Sequence, residues 1–85
     1  MKVYKQYVAP SWTSADSWIA FADIEEGAEV YEVYWHILYI SGEIRECLGS
    51  YLYELSFIQC NRISVDEYYR LLPKYLAKGE PNAIL

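Results

Sequence analysis

From Tyr31 to Ile58 the chain is dense in tyrosine, tryptophan, valine, isoleucine and leucine, and glycine interrupts it only at Ser41-Gly42 and Gly49-Ser50. Such a run favours strands, and short turns inside it fix which residues face one another. Read as a two-residue turn, Gly49-Ser50 sets Leu48 opposite Tyr51, Glu46 opposite Tyr53, Arg45 opposite Glu54 and Ile44 opposite Leu55. Read in the same way, Ser41-Gly42 sets Tyr39 opposite Ile44, Ile37 opposite Glu46 and Trp35 opposite Leu48. The two turns then agree on one apolar face: Tyr31, Val33, Trp35, Ile37, Tyr39, Ile44, Leu48, Tyr51, Tyr53, Leu55 and Phe57, spoiled only by Glu46. A slip of one residue would reverse every side chain, so the agreement predicts a three-stranded meander in this register. Val30, Val33, Tyr34, Ile37 and Leu38 also have helical spacing, but the β-branched and aromatic content favours strands.

The flanking segments extend this sheet. Lys2 to Val8 is β-branched and aromatic and stops at Pro10, which predicts a first strand. Trp18 to Ile24 fits either a strand or a short helix capped by Ser14. Glu25-Glu26-Gly27-Ala28 predicts a turn with Gly27 at positive φ. Ser64-Val65-Asp66-Glu67 has the capping-box pattern, and Val65, Tyr68, Tyr69, Leu72, Tyr75 and Leu76 make one apolar stripe, so a helix begins at Val65. Pro73 lacks the amide that would bond back to Tyr69, which predicts an end or kink near Leu72 with one further turn toward Gly79. Residues 80–85 read as a tail. The expectation is an α+β fold, an antiparallel sheet of four or five strands with one C-terminal helix packed on it, as a single domain over residues 1–85.

Charge narrows the function classes. From Gln6 to Ile44 there are seven carboxylates (Asp16, Asp23, Glu25, Glu26, Glu29, Glu32 and Glu43) and no lysine or arginine. The basic residues Arg62, Arg70, Lys74 and Lys78 come later, and the net charge is −5. An acidic field repels phosphate, which argues against direct nucleic-acid binding and against an anionic membrane surface. The longest charge-free run after the amino terminus, Val33 to Gly42, is far shorter than the roughly 20 apolar residues of a membrane-spanning helix. No apolar signal segment follows Met1-Lys2-Val3-Tyr4-Lys5, so a cytoplasmic protein is expected. The two cysteines are too few for a disulfide framework and are expected as packed thiols.

Three chemistries can be weighed against this background. In the register above His36 faces Cys47, with Glu32 or Glu43 near enough to orient the ring, an arrangement a thiol enzyme requires. Neighbouring carboxylates would raise rather than lower the thiol pKa, and no oxyanion donor is recognisable, so catalysis is not expected. His36, Cys47 and Cys60 lack a fourth ligand and the close Cys-x-x-Cys spacing of a zinc site. No phosphate-binding glycine loop is present, and neither a metal nor a cofactor is expected.

What remains is recognition. Asp23, Glu25, Glu26, Glu29 and Glu32 bracket the Gly27 turn, with Tyr34 beside them, and would project from one end of the domain as a partner-binding surface for a basic protein. The alternative is that these charges serve solubility. In size, acidity and aromatic content the chain is similar in type to the small inhibitors that phages and plasmids direct against host defence enzymes, the anti-CRISPR and antirestriction proteins, although no alignable residues carry the likeness. The similarity implies an acidic, tyrosine-bearing surface that blocks a nucleic-acid-binding site on a target protein. The competing expectation is a structural subunit that forms homodimers or larger assemblies through a sheet edge or through the sheet's mixed second face, which would carry Tyr34, His36 and Leu38.

Overall fold

The computed structural model describes residues 1–52 and 60–79. Strands β1 (Lys2–Tyr7), β2 (Trp18–Asp23), β3 (Tyr34–Tyr39), β4 (Ile44–Leu48) and β5 (Asn61–Ile63) form one five-stranded antiparallel sheet in the order β4-β3-β2-β1-β5. A C-terminal helix, α1 (Val65–Gly79), packs against it, giving the expected α+β architecture. Val8 falls outside the first strand and is exposed.

Why Trp18–Asp23 is a strand follows from its place in the sheet. It lies between β1 and β3 and is buried on both faces, so helical and strand patterns look alike in its sequence. Trp18, Ala20 and Ala22 join Val3, Tyr7, Trp35 and Ile37 in one apolar cluster. Ile19 and its neighbour Phe21 face the other way, where they meet Tyr4, Leu38 and the helix residues Tyr68, Leu71 and Tyr75. The small Ala20 and Ala22 share this cluster with the bulky Trp18 and Trp35, large and small side chains filling one volume.

The β3–β4 hairpin departs from the expected register by one residue. The Tyr39 amide donates to the Glu43 carbonyl at 2.9 Å and the Gly42 amide to the Tyr39 carbonyl at 2.8 Å, leaving a three-residue loop of Ile40, Ser41 and Gly42. Gly42 has φ of 93° and, among the described residues, no non-glycine residue has positive φ. A two-residue primed turn needs positive φ at its first position, which Ser41 does not supply; a type I turn closed by a left-handed glycine needs it only at Gly42. Leu38 therefore pairs with Ile44, Ile37 with Arg45, His36 with Glu46 and Trp35 with Cys47. Ile44 moves to the helix side of the sheet and is 74% exposed there.

Gly49-Ser50 is not a hairpin turn. Gly49 extends the β3–β4 ladder by donating to the Val33 carbonyl at 2.9 Å, and Gly49–Leu52 then forms a turn of 3₁₀ helix. The glycine is required by proximity, since a Cβ there would sit 2.4 Å from the Val30 carbonyl oxygen and 2.6 Å from the Tyr31 Cα. The expected partners Tyr53, Glu54 and Leu55, with Phe57 and Ile58, lie outside the described residues. Tyr31 is also displaced from its expected inward place, because Val30–Glu32 is a 3₁₀ turn and the strand starts only at Tyr34.

Helix α1 begins as its sequence predicts, with the Glu67 amide donating to Ser64 Oγ at 3.1 Å. The Glu67 carboxylate pairs with Arg70. Pro73 neither ends the helix nor divides it. Pro73 and Tyr69 are both exposed, so the carbonyl deprived of its partner can be hydrated, while Leu71 and Tyr75 on either side of the proline hold both halves to the sheet. The buried face is rotated from the expected stripe: Tyr68, Leu71 and Tyr75 are inside, and Val65 and Tyr69 are largely outside. Residues 80–85 lie outside the described part.

The Gly49 contact can be tested by stability. Gly49→Ala is expected to destabilise by about 1–3 kcal/mol, the range for overpacking, because backbone rather than a flexible side chain occupies the space. Urea unfolding checks this; a midpoint equal to that of the unmodified chain would show that the close approach does not exist.

Candidate functional site

The acidic end is built on the connection between β2 and β3. The Ala28 amide bonds to the Glu25 carbonyl at 3.0 Å, and Gly27 at φ 86° stands where a type II turn demands a left-handed residue. The chain then enters the Val30–Glu32 turn, closed by the Glu32 amide donating to the Glu29 carbonyl at 2.9 Å. This exposed segment is tied to the core through its middle, where the fully buried Trp35 donates its indole Nε1–H to the Val30 carbonyl at 2.8 Å. Gly49 lies against the same carbonyl, close to the indole, so that a Cβ there would also sit 3.2 Å from Trp35 Nε1. Position is thereby fixed for a stretch whose side chains bury nothing of their own.

Glu25, Glu26, Glu29 and Glu32 are exposed along this connection, and among the described residues none of these four forms an ion pair. Tyr31 and Tyr34 flank them, also exposed. Helix α1 starts at the same end, because β5 runs antiparallel to β1 with Ile63 opposite Tyr4, and its first turn adds Asp66, Glu67 being offset by Arg70. Asp23 stands apart. It is opposite Lys2 in the sheet, and the amino terminus reaches its Oδ1 at 3.2 Å and the Ile24 carbonyl at 3.1 Å. The expectation of an acidic stretch unscreened by any base thus needs correction at this residue. Sequence distance from a lysine is not spatial distance, and antiparallel pairing brings the start of the chain back to Asp23. Of the expected partner-binding group, Glu25, Glu26, Glu29 and Glu32 share the connection, Tyr34 adjoins it, and Asp23 is locally neutralised.

The expected thiol–imidazole pair does not form. With Glu46 opposite His36, Cys47 points to the other face of the sheet beside Trp35. His36 Nδ1 lies 2.9 Å from Glu46 Oε2, and its ring stacks on Phe21 with centroids 4.8 Å apart. Cys60 is half-buried in the tryptophan-side cluster, where desolvation pushes its thiol pKa up, against the direction a nucleophile requires. Among the described residues no cluster of three histidine, cysteine or acidic side chains is placed to hold a metal. No helix among them is long and apolar enough to cross a membrane.

A second surface was hidden by the register. Helix α1 packs on β1, β2 and β3, and among the described residues no element covers β4 at Ile44 on the helix side. The result is a shallow apolar groove of about 170 Å³, lined by Phe21, His36, Leu38, Ile44, Tyr68 and Leu76. The sequence signal that places Ile44 here is the three-residue loop ending in Gly42. No family model, curated protein or solved structure matches the chain.

The anchoring of the acidic connection is open to test. Trp35→Phe keeps the ring in the core but removes the bond to Val30, a change worth about 1 kcal/mol, and should speed hydrogen exchange at the Glu32 amide. Unchanged protection there would mean that the indole does not hold the connection.

Proposed function

We propose that the protein is a non-catalytic, protein-binding inhibitor of the phage or plasmid type, anti-CRISPR-like or antirestriction-like in character, acting in the cytoplasm. Its acidic, tyrosine-bearing end occupies a basic, nucleic-acid-binding groove on a target protein. The observation that supports this reading is the set of four exposed glutamates that form no ion pair among the described residues, Glu25, Glu26, Glu29 and Glu32 on one tethered connection, with Tyr31 and Tyr34 at its margin. Carboxylates held in this way imitate a run of phosphates in charge, and exposed aromatic rings supply the rigid apolar contacts that dominate many interfaces. Asp23 contributes less, since the Met1 ammonium offsets it. Recognition of this kind needs neither cofactor nor metal.

The test is charge reversal of all four positions together. Glu25→Lys, Glu26→Lys, Glu29→Lys and Glu32→Lys, combined in one chain, should abolish salt-sensitive capture of basic proteins from a bacterial lysate while leaving the circular dichroism spectrum unchanged. Capture as strong as that of the unmodified chain refutes the reading.

One observation favours a second reading, a structural subunit that self-associates. Ile44, on the outermost strand, is largely exposed beside the apolar groove. Light scattering across a range of concentrations separates the two: a stable dimer or larger oligomer supports assembly, and a monomer at all concentrations removes it.

A further inference from the structure

The sheet ends at β4, and its hydrogen bonds to β3 settle which way the strand's backbone groups point. Tyr39 bonds to Glu43 at one end of the ladder and Gly49 to Val33 at the other. In an antiparallel pair hydrogen-bonded positions alternate, so Glu43, Arg45, Cys47 and Gly49 turn their backbone groups toward β3. Ile44, Glu46 and Leu48 turn theirs outward, and among the described residues no strand pairs with them. The same three residues direct their side chains to the helix side of the sheet, where the groove runs between β4 and α1. Among the described residues these outward backbone groups are unpaired, and at Ile44 they adjoin the apolar groove, which together give an incoming strand backbone bonds and one apolar contact.

We propose that this edge takes up an extended segment of a protein partner as a sixth, antiparallel strand, with apolar side chains opposite Ile44 and Leu48 and a lysine or arginine opposite Glu46. Charge selects the occupant. Glu46 is exposed, and its contact to His36 uses one carboxylate oxygen while the other can accept from a cation. A second copy of this chain fits less well: the two-fold antiparallel pairing that sets Ile44 against Leu48 also sets Glu46 against Glu46, and like charges directly opposite are destabilising. The other edge, β5, has only three residues, and its middle residue is Arg62. Leu48 pairs with Tyr34, so the edge runs into the acidic end, and the inference rests on the same reading of a basic protein partner.

The probe is the blocked peptide Thr-Val-Thr-Lys-Thr-Val-Thr, titrated into the isotope-labelled full chain. Resonance changes centred on the amides of Ile44, Glu46 and Leu48, with slowed exchange at all three, are the expected result. Glu46→Pro removes an outward N–H without touching the bonds to β3, and should weaken the peptide by about tenfold or more, the effect of losing a charge-assisted hydrogen bond. If that variant does not fold, Glu46→Lys serves instead, and it should reverse the preference toward the same peptide with glutamate in place of lysine. Absence of amide changes along β4, or equal affinity for the lysine and glutamate peptides, overturns the proposal. Self-association of the peptide-free chain that Glu46→Pro abolishes also overturns it and assigns the edge to a second copy. At high salt, where long-range charge effects are screened, the fourfold charge-reversed chain should bind the peptide as the unmodified one does. A failure at the edge is thus distinguishable from a failure at the acidic end.

Discussion

Everything in this structure leans on the burial of β2 from both sides. Its Ile19, Ala20 and Ala22 have no exposed surface, and Trp18 has almost none. One apolar cluster forms on the tryptophan side and another under the helix, and β2 belongs to both. A chain of 85 residues has little apolar surface to spare, and sharing one strand between two clusters obtains two packed layers from a single small sheet. The outer strands are held to this centre, and from them hang the acidic connection, the groove and the open edge.

The sequence disclosed the class of fold more readily than its register. Strand-forming composition, the Ser64 cap and the apolar spacing after it were enough to expect an antiparallel sheet followed by a helix. Two misreadings share one cause, the treatment of a glycine as a turn signal without asking what that glycine must do. Gly42 supplies a left-handed backbone for a three-residue loop, and Gly49 leaves room for the Val30 carbonyl. The agreement between two assumed turns seemed to confirm the register because both assumed the same loop length. Pro73 was misjudged for a different reason: the cost of a missing helical bond depends on whether water reaches the freed carbonyl, and that is a property of packing, not of sequence.

The acidic end was partly legible. Local carboxylate density located Glu25, Glu26, Glu29 and Glu32 correctly, since a single connection carries all four. Asp23 could not be read in this way, because its ion-pair partner is the Met1 ammonium, brought back by strand pairing. The groove was invisible for a similar reason. Its lining comes from β2, β3, β4 and α1, and only the correct pairing of Leu38 with Ile44 assembles it.

Charge in this body is also directional. The acidic connection and the first turn of α1, with Asp66, lie at one end of the strands, and Lys74 lies further along the helix. Before any contact is made, a positive surface exerts a torque on such an arrangement as well as an attraction. The molecule would arrive turned, with the β2–β3 connection leading, and less of its encounter would be spent searching orientations. Trp35, by fixing that connection to the sheet, makes rotation of the connection a rotation of the whole protein.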